Sequence, residues 1–186
     1  MDPSLAVELL REYPQLVAVV AIVARVARAW QASLTWPEYR VLHRFKRGVF
    51  PPVDYYAGSL ILWVSEKGGR GDAEYQTTAI GTVRDTVRVL RDAGASLHLL
   101  SSLKRRPADF AGGDPTGDTL TDAHLVWTID ADQVEAYLFR NDDGTVDVYA
   151  HTEASVDDPL EHLTGGQTDG DAYDVLPTIG EKENAT

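Results

Sequence analysis

Ala123-His-Leu-Val-Trp-Thr-Ile-Asp-Ala-Asp-Gln-Val-Glu-Ala-Tyr-Leu-Phe-Arg-Asn-Asp-Asp-Gly-Thr-Val-Asp-Val-Tyr-Ala-His151 carries the clearest structural signal in the chain. Three runs within it, about 123–130, 133–140 and 145–151, are rich in β-branched and aromatic residues and read as strands. Asn141-Asp142-Asp143-Gly144 lies between the last two, and Asn, Asp and Gly are the residues that accept the backbone conformation of a tight β-turn. The stretch therefore predicts an antiparallel sheet that ends in a β-hairpin.

Upstream, Ser96–Leu100 reads as another strand. Before it, a helix is expected over about 74–93, with Ile80, Val83, Val87 and Leu90 as its apolar stripe and Gly94 suited to its left-handed cap. Ser59-Leu-Ile-Leu-Trp-Val64 reads as a buried strand, so strand, helix and strand together fit one parallel crossover unit. Gly68–Gly71 and the polar stretch 103–120 read as loops. At the amino end, Asp2-Pro3 starts a short helix that Pro14 breaks. A second helix, about 15–32, is apolar nearly all round, with Leu16, Val19, Val20, Val23 and Trp30 along one side, a pattern expected of a helix buried on most faces. Thr35, Pro37 and Glu38 start a third helix, which Gly48 and Pro51-Pro52 are expected to end. After Asp157-Asp158-Pro159 a short helix is expected through Leu163. The expected fold class is α+β, with N-terminal helices and a central helix packed on a mostly antiparallel sheet ending in a β-hairpin. Residues 1–164 form a single domain, and 165–186 form an acidic tail expected to be mobile or ordered only by a partner.

The chain has 186 residues, no cysteine and a net charge of -12. A chain of this size buries roughly 70% of its unfolded surface, so it needs no staple. Without cysteine, disulfide scaffolds, thiolate zinc sites and cysteine nucleophiles are excluded. The charge consists of 19 Asp and 10 Glu against 13 Arg and 4 Lys. Residues 153–186 hold nine acids and one lysine, a net -8, which leaves -4 for the first 152. An Asp-rich, Lys-poor composition resembles that of halophilic archaea and bacteria. At about 1 M salt the Debye length is roughly 3 Å, so exposed carboxylates no longer repel one another. The first residues form no secretion signal. The run Leu16–Ala24 is too short to cross a bilayer, which takes about 20 apolar residues. The expected setting is a salt-rich cytoplasm or a virus particle, with no membrane.

Three basic clusters stand out: Arg84, Arg88 and Arg91 on one side of the central helix; Lys104, Arg105 and Arg106; and Arg40, Arg44, Lys46 and Arg47. They are candidate anion-binding surfaces, with ion pairing to the many aspartates as the competing explanation. Ser33–Leu42 resembles the first helix of a winged-helix domain over ten residues, but the turn and recognition helix of that family do not follow. The histidines are His43, His98, His124, His151 and His162. None has the spacing of a helical metal site, although His124 and His151 could face each other across the sheet with Glu153 close by. Asp142-Asp143-Gly144 lacks the spacing of an EF-hand, and no phosphate loop or nucleophile elbow is present. No catalytic residue, metal site or cofactor is therefore assigned. Among the aromatics, Trp127 and Tyr137 on adjacent strands join Val19, Val23 and Trp30 as candidate interaction residues.

These features favour a non-enzymatic interaction or assembly protein of a salt-adapted system, a subunit of a larger complex or virus particle, with a protein partner or self-association. The alternative is a nucleic-acid-binding regulator that uses the Arg/Lys clusters. An enzyme without a recognised motif is the third reading, supported only by the acidic and histidine content of 114–124 and 151–162.

Overall fold

The computed structural model describes residues 12–57, 64–65, 74–101, 103–106, 119–129 and 132–155. In chain order these form α1 (Pro14–Ser33), α2 (Trp36–Ala57), β1 (Val64–Ser65), β2 (Glu74–Ala79), α3 (Val83–Asp92), β3 (Ser96–Leu97), β4 (Leu103–Lys104), β5 (Ala123–Ile129), β6 (Asp132–Arg140) and β7 (Val146–Ala154). The α+β class expected from the sequence is the class observed. The expected first helix, most of the 59–64 strand, the helix after Pro159 and the acidic tail lie outside the described residues.

Five strands form an antiparallel sheet in the order β2-β7-β6-β5-β3. β6 is its axis, paired along its whole length with β7 and over Asp132–Leu138 with β5. The β6–β7 hairpin turns on Asn141–Gly144 as its sequence predicts, with Gly144 at φ 87, in the left-handed region where a side chain is strained. Asn141 closes the turn by donating its backbone N–H to Thr145 O at 2.8 Å.

Strand alternation gives the sheet two chemically different faces. Ala123, Leu125 and Trp127 of β5, Val134, Ala136 and Leu138 of β6 and Val146, Val148 and Ala150 of β7 form the apolar face, which packs with Val87 and Leu90 of α3 and with Leu34 and Tyr39. The opposite face carries His124, Gln133, Glu135, Tyr137, Phe139, Asp147, Tyr149 and His151, all of them buried as well. β6 is thus covered on both sides, with Gln133 to Phe139 continuously buried.

Several expectations are corrected. The central helix begins at Val83, because Thr82 and Asp85 form a capping box: Thr82 Oγ1 accepts from Asp85 N at 3.3 Å and donates to Asp85 Oδ2 at 2.6 Å. Glu74–Ala79, expected to be helical, pairs as an edge strand with β7, in keeping with its Tyr75, Thr77 and Thr78. Ile80 consequently lies outside the helix and is exposed, while Val87 and Leu90 are buried as the stripe required. α2 starts at the expected signal, with Glu38 accepting from Thr35 N and Oγ1, but it runs through Pro51-Pro52 to Ala57. Proline's fixed φ is itself helical, and its penalty is a lost amide donor and crowding against the preceding turn; the helix bears that cost. The parallel pairing joins β1 to β4, whereas β3 pairs antiparallel with β5.

α1 is not buried on most faces. It meets the sheet near its C-terminal end, where buried Gln31 accepts from Leu100 N at 2.8 Å and Arg28 reaches Thr128 Oγ1 at 3.0 Å. Val19, Ile22, Val23, Val26 and Trp30 remain exposed. No helix among the described residues is long and apolar enough to cross a membrane.

Leu138 is fully buried at the centre of β6. Leu138→Ala is expected to lower unfolding stability by about 2–5 kcal/mol, and Thr82→Ala, which removes only the cap, by about 1 kcal/mol. Denaturant titrations in molar KCl check both; a loss for Leu138→Ala no larger than that for Thr82→Ala would contradict this packing.

Candidate functional site

Two clusters of charged and polar side chains converge in the fold. The first lies on the polar face of the sheet. The β5–β6 register sets His124 opposite Tyr137, and the β6–β7 register sets Glu135 opposite His151 and Gln133 opposite Glu153. His98, just past β3, joins them: its backbone N–H donates to the His124 carbonyl at 2.8 Å. Glu135 is the hub. His98 Nδ1 lies 3.1 Å from Glu135 Oε1, and His124 Nε2 lies 3.0 Å from Glu135 Oε2. Tyr137 donates its hydroxyl proton to Oε2 at 2.6 Å, and Gln133 Nε2 donates to Oε1 at 3.2 Å. Arg28 donates to Gln133 from the far side, and Gln133 also donates to Glu153. His151 Nε2 stands 3.9 Å from Glu135 and 3.5 Å from Glu153. His124 Nδ1 is hydrogen-bonded to Ser101 Oγ. Lys46 donates to the carbonyls of Leu99 and Ser101.

Charge in this cluster is settled by burial and neighbours. Burial favours the neutral form of His124 and lowers its pKa to about 3, against the pull of Glu135. Burial alone would raise the Glu135 pKa, but the adjoining His124 and His98 outweigh it and hold the carboxyl well below the usual range. Each charge therefore depends on the other: burial opposes ionisation of either group and their proximity favours it. Burial, with the nearby Arg47 and Lys46, also lowers His43 to about 3, and burial lowers Lys46 to about 8. His98 Nδ1 and His124 Nε2 stand at hydrogen-bond distance from the carboxylate and favour its charged form. A coordinate bond to a cation is a further chemistry open to such nitrogens.

The second cluster is a cleft of about 750 Å³ between α2 and the start of α3, lined by Trp36, Arg40, Arg44, Arg47, Arg84, Arg88 and Arg140 with Asp85 and Asp122. Asp122 is bound to Arg47 at 2.8 Å and lies 4.0 Å from Arg140; Asp85 lies 3.5 Å from Arg88. Among the described residues, Arg40, Arg44 and Arg84 make no close ion pair, although Thr82 hydrogen bonds lower the Asp85 pKa and Arg84 is near enough to help. Six guanidinium groups thus face two carboxylates, and the positive end of the α3 dipole, at Thr82 and Val83, adds to the field.

The predicted residues are divided by the fold. Arg84 and Arg88 line the cleft, where they meet Arg40, Arg44 and Arg47 from a different basic cluster. Arg91 is exposed on the same helix. Arg106 is buried and ion-paired with Asp147, and Lys104 lies 5.5 Å from the centre of the Tyr137 ring, so the Lys104–Arg105–Arg106 cluster is not an open cationic surface. Lys46 is likewise turned inward. Val19, Val23 and Trp30 are exposed together. Trp127 and Tyr137 are buried on opposite faces of the sheet, which removes both from any surface contact. His124, His151 and Glu153 do converge, through Glu135, a residue sequence reading passed over. Its only signal was period-2 alternation, which puts 133, 135 and 137 on one face. Arg140 was also missed.

No protein-family model, curated protein or solved structure matches this chain.

The pH response follows from His43 and His124. Both pKa values are lowered to about 3 in the fold, against about 6.5 unfolded. The unfolded chain therefore binds more protons between these values, and stability is lost as pH falls below about 6.5. Glu135 adds to the loss once pH enters the ordinary carboxylate range. The decline is expected to be on the order of 1–3 kcal/mol per pH unit between about pH 6 and pH 4. Unfolding midpoints measured from pH 8 to pH 4 in molar KCl check this, with a shallower slope in His43→Gln. A flat profile down to pH 4 would contradict the burial of both rings.

Proposed function

We propose that the chain is a binding component of a salt-adapted system rather than a catalyst, and that it holds the phosphate backbone of a nucleic acid in the cleft between α2 and α3. The observation that carries this reading is the convergence of six arginines on one concave surface in a protein of net charge -12. Three of them, Arg40, Arg44 and Arg84, make no close ion pair among the described residues, and guanidinium groups match phosphate oxygens in paired hydrogen bonds. The helix N-terminus at Thr82 favours the same charge. The Asp-rich, Lys-poor composition supports a salt-rich cytoplasm or a virus particle as the setting, where a ligand must be held by shape and paired hydrogen bonds because salt weakens simple attraction.

Fluorescence anisotropy of labelled single- and double-stranded DNA and RNA, from dilute to molar KCl, tests the reading. The unmutated protein is expected to bind, with an affinity that falls linearly on a logarithmic salt scale with a slope of roughly -2 to -5. Arg84→Glu with Arg88→Glu is expected to weaken binding by about tenfold or more and to flatten that slope. Absence of binding by the unmutated protein at low salt would end the proposal.

A second reading, assembly through α1, is favoured by the contiguous exposed apolar strip of Ile22, Val23, Val26, Ala27 and Trp30. An apolar helix face of this kind is self-complementary about a two-fold axis, so a second copy of the chain is its simplest occupant. Light scattering in molar KCl is expected to show a dimer that Val23→Asp converts to a monomer. A monomeric unmutated protein at high concentration would exclude it.

A further inference from the structure

We infer that His98, His124 and Glu135 form a binding site for a first-row divalent metal ion of the zinc type, independent of the arginine cleft. One nitrogen of each ring and a Glu135 oxygen lie within 4.8 Å of one another. The two rings stand 3.1 and 3.0 Å from that carboxylate. Ligand atoms held about 2.0–2.1 Å from a tetrahedral zinc ion are roughly 3.3 Å apart, so both nitrogen–carboxylate separations are already close to those around an ion.

His124 is 2% exposed and Glu135 is 5% exposed, so each stands where an unmet polar group is costly. His98 Nδ1 and His124 Nε2 both face the same carboxylate, a two-histidine, one-carboxylate set of the kind that holds first-row metals. Coordination would engage both nitrogens and the carboxylate at once. The surrounding groups are those that orient metal ligands. With Nε2 as ligand, His124 carries its proton on Nδ1, where Ser101 Oγ is positioned to accept it. Glu135 is held by the Tyr137 hydroxyl at 2.6 Å and by Gln133 at 3.2 Å. Two imidazoles and one carboxylate suit zinc, nickel, cobalt or iron better than calcium or magnesium, which take oxygen ligands. Three protein ligands leave one position of a tetrahedral ion open. His98 is the most exposed of the three ligands, with a side chain 13% accessible, and marks the side from which an ion enters.

The test uses the full chain, stripped with chelator and kept in molar KCl with excess Mg2+ to mask its acidic surface. Titration with Zn2+ by calorimetry and with Co2+ by visible absorption is expected to show one equivalent bound, Co2+ bands of four- or five-coordinate geometry, and a raised unfolding midpoint. His98→Ala changes the most accessible ligand and is expected to weaken Zn2+ binding about a hundredfold or more while circular dichroism stays unchanged. Ser101→Ala is expected to weaken it about tenfold. Less than a tenth of an equivalent of Zn2+, Co2+ or Ni2+ on the folded, stripped protein would overturn the inference. Binding unaltered in His98→Ala would overturn it equally, by placing the ion elsewhere.

Discussion

β6 is sandwiched on both faces, and its residues from Gln133 to Phe139 are buried. A strand in that position must either be apolar throughout or find partners for every polar group it carries. This one carries Gln133, Glu135 and Tyr137 on a single face. A lone carboxylate in such a place would be prohibitively costly. Glu135 is tolerated because Tyr137, Gln133, His98 and His124 converge on it, with Arg28 and Lys46 supplying positive charge from α1 and α2. That need ties separate elements together: β3 must bring His98, β5 must present His124 in register, and α1 must extend Arg28 across to Gln133. The polar face thus fixes the relative placement of helices and sheet more specifically than the apolar face, where side chains of similar volume could exchange places.

The two faces divide the tasks. Leu125, Val134, Ala136, Leu138 and Val148, packed with Val87 and Leu90, supply non-directional burial that holds α3 to the sheet. Once α3 is docked there, its outward side carries Arg84 and Arg88 toward α2. The arginine cleft is therefore a by-product of ordinary core packing: an amphipathic helix cannot bury its aliphatic stripe without aiming its basic side somewhere, and here it faces a second basic helix. Asp122 and Asp85 partly neutralise the meeting, and the guanidinium groups left over give the cleft its character.

Charge placement along the chain separates general from particular effects. The acids concentrated after Glu153 act collectively on solubility and salt response. Glu135, Asp147 and Asp122, by contrast, each have named partners at contact distance. The net charge of the whole chain describes neither the polar sheet face nor the cleft.

Local chemistry was legible in the sequence. Asn141–Gly144 specified its turn because the required backbone angles are a property of those residues alone, and alternation over 123–151 specified three strands. The capping box at Thr82 and Asp85 was equally local, yet a helix drawn from 74 overlooked it, because Glu74–Ala79 becomes a strand only when β7 offers it an edge. Pro51-Pro52 likewise reads as a stop when taken alone. Which residues meet was decided by the tertiary structure. Glu135 lies 11 positions from His124, 16 from His151 and 37 from His98, and only strand order and register bring them together. Arg40, Arg84 and Arg140 are further apart still. Turns and caps depend on interactions within a few residues, which a sequence displays. Sites depend on long-range packing, which exists only once the chain has chosen a single arrangement of its elements.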